Sequence, residues 1–170
     1  MKVALLFLGY KGIWLTGILG DSFFLHPLTP LLAGIYLFAS IPSSVKKYYF
    51  FIYVASIAAI GICAETFILN QYAYAFEPPT LFVPPWLMSI WVAFPCMCLN
   101  SLKQTLQNSR LAVMIGVIGG PMAYKGAHSL GAITIHNGWL PMIILAVVWG
   151  GIMVITHTLQ QWLKSKKPPN

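Results

Sequence analysis

Glu65, Lys125 and His128 are the residues best equipped for chemistry, because each is ionisable and each sits inside a strongly apolar stretch. Ionisable side chains in such surroundings are costly, and they usually face a bundle interior or a polar cavity. On a helix through 111–135, Pro121, Lys125 and His128 fall at i, i+4 and i+7 and share a face, with Tyr124 beside His128 at i+4. At 1.5 Å per residue, Glu65 lies roughly 25 Å from the inner end of its segment and Lys125 roughly 21 Å from the inner end of its own. The two can therefore meet at similar depth. A carboxylate alone in lipid is forced neutral, and a nearby ammonium is the economical partner. One arrangement is a structural ion pair tying the third and fifth segments together. The other is a polar pocket opening outward, built from Glu65, Lys125, His128, Tyr124 and Asn70. There Glu65 or His128 can transfer a proton, and Lys125 can hold an anionic headgroup or developing negative charge.

The same fifth segment carries a packing signal. Gly119, Ala123, Ala127 and Gly131 recur every four residues, a ridge of small side chains that admits another helix closely, and Gly116-x-x-x-Gly120 extends it. Gly119-Gly120-Pro121 reads as a break within the span, where freed backbone groups need partners. Broken helices border sites in transporters, but this chain has no matching second half.

Several chemistries are absent from the sequence. There is no G-x-S-x-G, no Walker loop and no dinucleotide fingerprint, and no cofactor is expected. His128 and His136 lack metal-ligand spacing. Cys63, Cys96 and Cys98 lie in apolar segments without C-x-x-C spacing, so neither a disulfide nor a metal site is expected.

Composition dictates the elements that must hold these residues. The chain has 170 residues, 58% of them hydrophobic and 8% charged, with a mean hydropathy of +0.77. A soluble domain carries about 25% charged residues. The expected fold is all-α: one integral membrane domain over 1–170, a transmembrane bundle of about six spans at 3–20, 26–45, 48–70, 84–102, 111–135 and 139–162. Lys11 interrupts the first span too deep for easy snorkelling and is expected to face the bundle. Thr29-Pro30 reads as a cap and first turn. Residues 71–83 read as an ordered interfacial loop. Pro84-Pro85 start the fourth span, Trp86 and Trp91 fit an aromatic belt, and Pro95 suggests a kink. Asn100 sits near the inner end of that span and, with Lys11, can contribute to the continuous polar path that a small transporter needs.

With the N-terminus inside, Lys2, Lys46, Lys47, Lys103, Arg110, Lys164, Lys166 and Lys167 all fall on the inner side. The positive-inside rule then places both termini in the cytoplasm of a multi-pass protein. The acidic residues Asp21, Glu65 and Glu77 lie toward the outer side. The net charge of +7 is scattered between apolar runs, so it signals topology and not nucleic-acid binding.

Pro84-Pro-Trp-Leu-x-x-Ile-Trp-x-x-Phe94, Leu99-Asn100 and Gly116-x-x-Gly-Gly-Pro-x-Ala-Tyr-x-Gly-x-x-x-Leu-Gly-Ala132 together resemble a bacterial inner-membrane family, domain of unknown function 2878. The resemblance covers nearly the whole chain. Two positions depart from the family's pattern: Glu65 stands where aspartate is usual, and Ser101 follows Asn100 where a histidine is usual. The family's members often sit beside genes resembling cyclopropane-fatty-acid synthases and redox enzymes, which implies a link to membrane lipid. On this reading the protein contacts the bilayer and a lipid-enzyme or other membrane partner. Catalysis stays an open alternative, with Glu65, His128 and Lys125 as its candidates and Asn70, Tyr124 and Asn100 as candidate ligand contacts.

Overall fold

A computed structural model describes residues 2–20, 25–43, 45–76, 79–80 and 82–166. Asp21, Glu77 and Lys167, used above in the charge argument, lie outside the described residues. The chain is mostly helical, with α1 (Lys2–Ile18), α2 (Leu28–Ala39), α3 (Lys47–Ala64), α4 (Pro85–Asn100), α5 (Ser109–Ser129) and α6 (Leu140–Ser165). A π-helical turn, Glu65–Leu69, and a last turn, Asn70–Tyr72, prolong α3. The resulting Lys47–Tyr72 helix and α6 are the two among the described residues that are long and apolar enough to cross a membrane, at 26 residues each. That is about 39 Å at 1.5 Å per residue, more than a bilayer's ~30 Å hydrocarbon core.

Several boundaries differ from the expected spans. The second helix has only 12 residues, about 18 Å, in place of a span over 26–45. Pro27 occupies its N-cap position and Pro42 follows its end, where the residue before a proline avoids helical backbone. Thr29 is not the cap; its buried hydroxyl lies 3.3 Å from that of Thr16 and joins α2 to α1.

The fifth helix starts at Ser109, because the Asn108 side chain accepts hydrogen bonds from the backbone of Arg110 (2.9 Å) and Leu111 (3.4 Å). It runs unbroken through Gly119-Gly120-Pro121, so no helix break forms there. A proline inside a helix forfeits one backbone bond, and helices in lipid tolerate this when neighbours compensate. The helix stops at Ser129, not Ile135. Gly131 takes φ 81, its N–H bonds the His128 carbonyl, and the Ala132 N–H reaches back to Ala127. This is a Schellman termination, which favours glycine at the left-handed position. Among the described residues nothing stands within 4 Å of a Cβ placed on Gly131, so Gly131→Ala meets backbone strain and no clash with them. We expect a loss of about 1 kcal/mol, read by thermal unfolding in detergent.

The chain leaving α5 forms β2 (Ile133–Ile135), which pairs antiparallel with β1 (Tyr74–Phe76) in the register Tyr74↔Ile135, Ala75↔Thr134 and Phe76↔Ile133. The ordered segment expected over 71–83 thus includes a strand. Alternation along β1 buries Tyr74 and Phe76 while Ala75 stays half-buried.

Helix α4 is central: α1, α2 and α3 pack on it, while α5 packs mainly on α6 and α6 also meets α3. Its start at Pro85 follows the Pro84-Pro85 signal, and it continues through Pro95 to Asn100. The start of α1 and the ends of α2, α4 and α6 gather round a cavity of about 250 Å³ lined by Val3, Pro42, Asn100, Lys103 and Lys164. Nearby, the Lys166 ammonium lies 5.8 Å from the ring centres of Tyr49 and Trp162. These basic residues therefore share one end of the bundle.

Candidate functional site

Glu65 is fully buried and opens the π-helical turn of α3. Such turns recur at functional sites because they re-aim side chains out of the regular helical register. Gly61 stands one turn earlier on the same face, and a Cβ there would overlap the indole of Trp91. The missing side chain lets Trp91 lie across α3 and donate its indole N–H to Glu65 Oε1 at 3.0 Å. Tyr74, turned inward by β1, donates to Oε2 at 2.5 Å. Tyr124 on α5 donates its hydroxyl to Oε1. One carboxyl therefore ties α3, β1, α4 and α5 together. Burial, followed by the adjoining Glu65 carboxyl and its hydrogen bond, pushes the Tyr74 phenol above its ordinary pKa, so it remains a donor.

The carboxyl lies on the wall of a cavity of about 60 Å³. One water needs roughly 10–15 Å³ in this measure, so there is room for on the order of four or five heavy atoms. Trp14, Trp86, Trp91 and Trp149, four of the chain's six tryptophans, line it with Tyr10 and Phe94. Trp91 and Trp149 stack at 5.0 Å between ring centres, and Phe94 meets Trp149 edge-on at 5.3 Å. The Trp149 indole N–H is buried against the Tyr124 hydroxyl, which itself donates to Glu65. Tyr10, Trp14 and Ile18 of α1 form one side, and Ala123, Tyr124 and Ala127 of α5 form the other. Trp14 reaches across this cleft, its ring edge 3.3 Å from where a Cβ on Gly126 would stand.

Of the residues singled out in the sequence, Glu65 and Tyr124 come together, and Ala123 and Ala127 line the same cavity. Lys125 does not join them: it is exposed, and the carboxyl's partners are three aromatic donors instead of an ammonium. Helical rotation explains this, since adjacent residues point about 100° apart and Tyr124 takes the inward position. His128 is exposed too, with Nδ1 3.1 Å from the Ile133 carbonyl oxygen and 3.4 Å from the Ile135 nitrogen, where it fastens β2 to α5. Asn70 donates to the Thr80 carbonyl at 3.3 Å. Asn100 donates to the Cys96 carbonyl at 2.9 Å and lines the cavity at the basic end.

Lys11 does not face the bundle. It is exposed, near the rings of Phe7 (5.6 Å) and Trp14 (5.7 Å), and lines neither cavity. Gly119 and Gly131 are exposed with open space beside them, so the internal notch is formed by Gly116 and Gly120 against Trp149. Pro121 is half-buried. Trp86 and Trp91, read as belt residues, are buried in the cavity wall. Tyr74 and Trp149 escaped the sequence reading and Trp91 was not read as a site residue, although Gly61 one turn before Glu65 was a signal that something large crosses there.

The family described as protein of unknown function (DUF2878) matches residues 3–155. The chain belongs to this family. The match to DUF2878 takes in every residue of the Glu65 cavity. No curated protein and no solved structure matches the chain.

Proposed function

We propose that this DUF2878 member is a multi-pass inner-membrane protein, with both termini cytoplasmic, that takes a lipid-type amphiphile into the cleft between α1 and α5. Glu65 is its polar anchor. The observation that carries this reading is a carboxyl fully buried among three donors on the wall of an aromatic cavity. The gathering of Lys103 and Lys164 at one end of the bundle supports the orientation, and the exposed apolar residues on α1, α5 and α6 suit contact with lipid.

Filling the cavity tests the reading. Ala123→Leu adds apolar volume at a half-buried wall position. Native mass spectrometry of protein purified in a maltoside detergent is expected to show co-purifying lipid on wild type and at least about tenfold less on the variant, about 1.4 kcal/mol of lost affinity. The melting temperature should be unchanged or higher, because the added volume occupies a void. Equal lipid retention by a stable variant would remove the cleft as the binding site.

A second reading makes the protein a membrane-embedded partner of a lipid-modifying enzyme. The face of α5 around Gly119 favours it: among the described residues no atom lies within 4 Å of a Cβ there, and exposed Ile118 and Met122 flank it. A partner helix can approach such a face closely.

A further inference from the structure

We infer that the group held at Glu65 is an organic ammonium, either the head of an aminolipid or a free alkylamine. The inference rests on the proposed binding role of the cavity and names the chemistry it takes. A carboxylate offers about four lone-pair positions. The hydrogen bonds from Tyr74, Trp91 and Tyr124 occupy three and hold the group rigidly, leaving one direction for a ligand. No lysine, arginine or histidine is among the described residues lining the cavity, so the carboxylate held by the three donors has no cationic partner among them. The remaining wall is predominantly aromatic. Aromatic faces attract cations through the ring quadrupole, more strongly once water is excluded, and cages of this kind recognise ammonium groups.

Size agrees with charge. Space for on the order of four or five heavy atoms matches an ammonium with its attached carbons and is too small for a whole acyl chain. An attached chain would leave between α1 and α5 past Trp14, whose half-buried ring lines both the cavity and its edge. The ammonium would then sit against Glu65 within the aromatic box. An anionic headgroup is disfavoured at this point because it would face the carboxyl.

The test compares choline with 3,3-dimethyl-1-butanol, an uncharged molecule of nearly the same shape, on the full-length protein in maltoside micelles. Four cavity tryptophans report binding by fluorescence. Choline is expected to give a saturable change at a concentration about tenfold lower than the neutral analogue. Glu65→Gln should erase that preference. If that variant fails to fold, Trp14→Leu decides the matter: its side chain is only half-buried, and removing one wall should weaken choline severalfold more than the neutral analogue. Equal binding of the two molecules overturns the ammonium assignment while leaving the amphiphile reading standing. No response to either, with lipid retention unaltered by Ala123→Leu, overturns both. Nanodiscs separate the two sources of ammonium. Selective retention of phosphatidylethanolamine over phosphatidylglycerol, lost in Trp14→Leu, identifies a lipid head; choline binding without that selectivity identifies a free amine.

Discussion

Replacing Glu65 with leucine is expected to destabilise the protein by on the order of 3 kcal/mol or more, lowering its melting temperature sharply in detergent. The reason is what the substitution leaves behind. Tyr74, Trp91 and Tyr124 all donate to this carboxyl from buried positions, and each buried donor stripped of its acceptor costs about 1–3 kcal/mol. The three losses act on one network, so they need not add. Glu65→Gln keeps one acceptor oxygen but presents an amide N–H₂ where a donor already points, and it should fall between wild type and leucine. Tyr124→Phe removes a single donor and leaves the carboxyl with two, so its cost should be nearer 1 kcal/mol. Melting curves for the four proteins in the same detergent check the order. A leucine variant as stable as wild type would mean that Glu65 does not hold α3, β1, α4 and α5 together.

How far this site was legible depends on the kind of information each part required. Apolar length is local, and the sixth span expected at 139–162 corresponds to a helix over Leu140–Ser165. Proline punctuation is local too, and Pro84-Pro85 marks the observed start of α4. Rotation is different. Counting residues placed Glu65 and Lys125 at similar depth, but depth says nothing about azimuth. One residue separates inward Tyr124 from outward Lys125, and what turns the helix that way is Trp149 seated over Gly116 and Gly120 on a neighbouring element. The small-residue pattern was read as a ridge through Gly119 that Gly116 and Gly120 extend, and only the partner helix shows that Gly116 and Gly120 make the contact while Gly119 does not. Tyr74 was less legible still. Its inward turn comes from a three-residue strand paired with another across more than fifty residues of chain, too short to show alternation by itself.

The second large effect lies at that helix–helix contact. Gly116→Ala is expected to cost about 1–3 kcal/mol, whereas Gly119→Leu, a larger change three residues away, should leave the melting temperature as it was. A Cβ on Gly116 would overlap the backbone carbonyl of Trp149 and stand 2.7 Å from Met153 Cγ. Backbone cannot swing aside as a side chain can, so α5 and α6 must separate along the most extensive helix contact in the bundle. Gly120 is nearly as restricted. Its Cβ would strike the Trp149 side chain, and that ring is held by stacking on Trp91 and by the edge of Phe94. Displacing it would also disturb the cavity wall beside Glu65. Gly119 faces open space. Thermal unfolding of Gly116→Ala and Gly119→Leu therefore tests the register of the α5–α6 packing, and a Gly116→Ala protein melting with wild type would refute it. The Gly119 variant carries a second result. If it folds normally yet fails to support the protein's role in cells, the open face of α5 is needed by a partner, and the membrane-partner reading gains ground that the Glu65 cavity alone cannot give it.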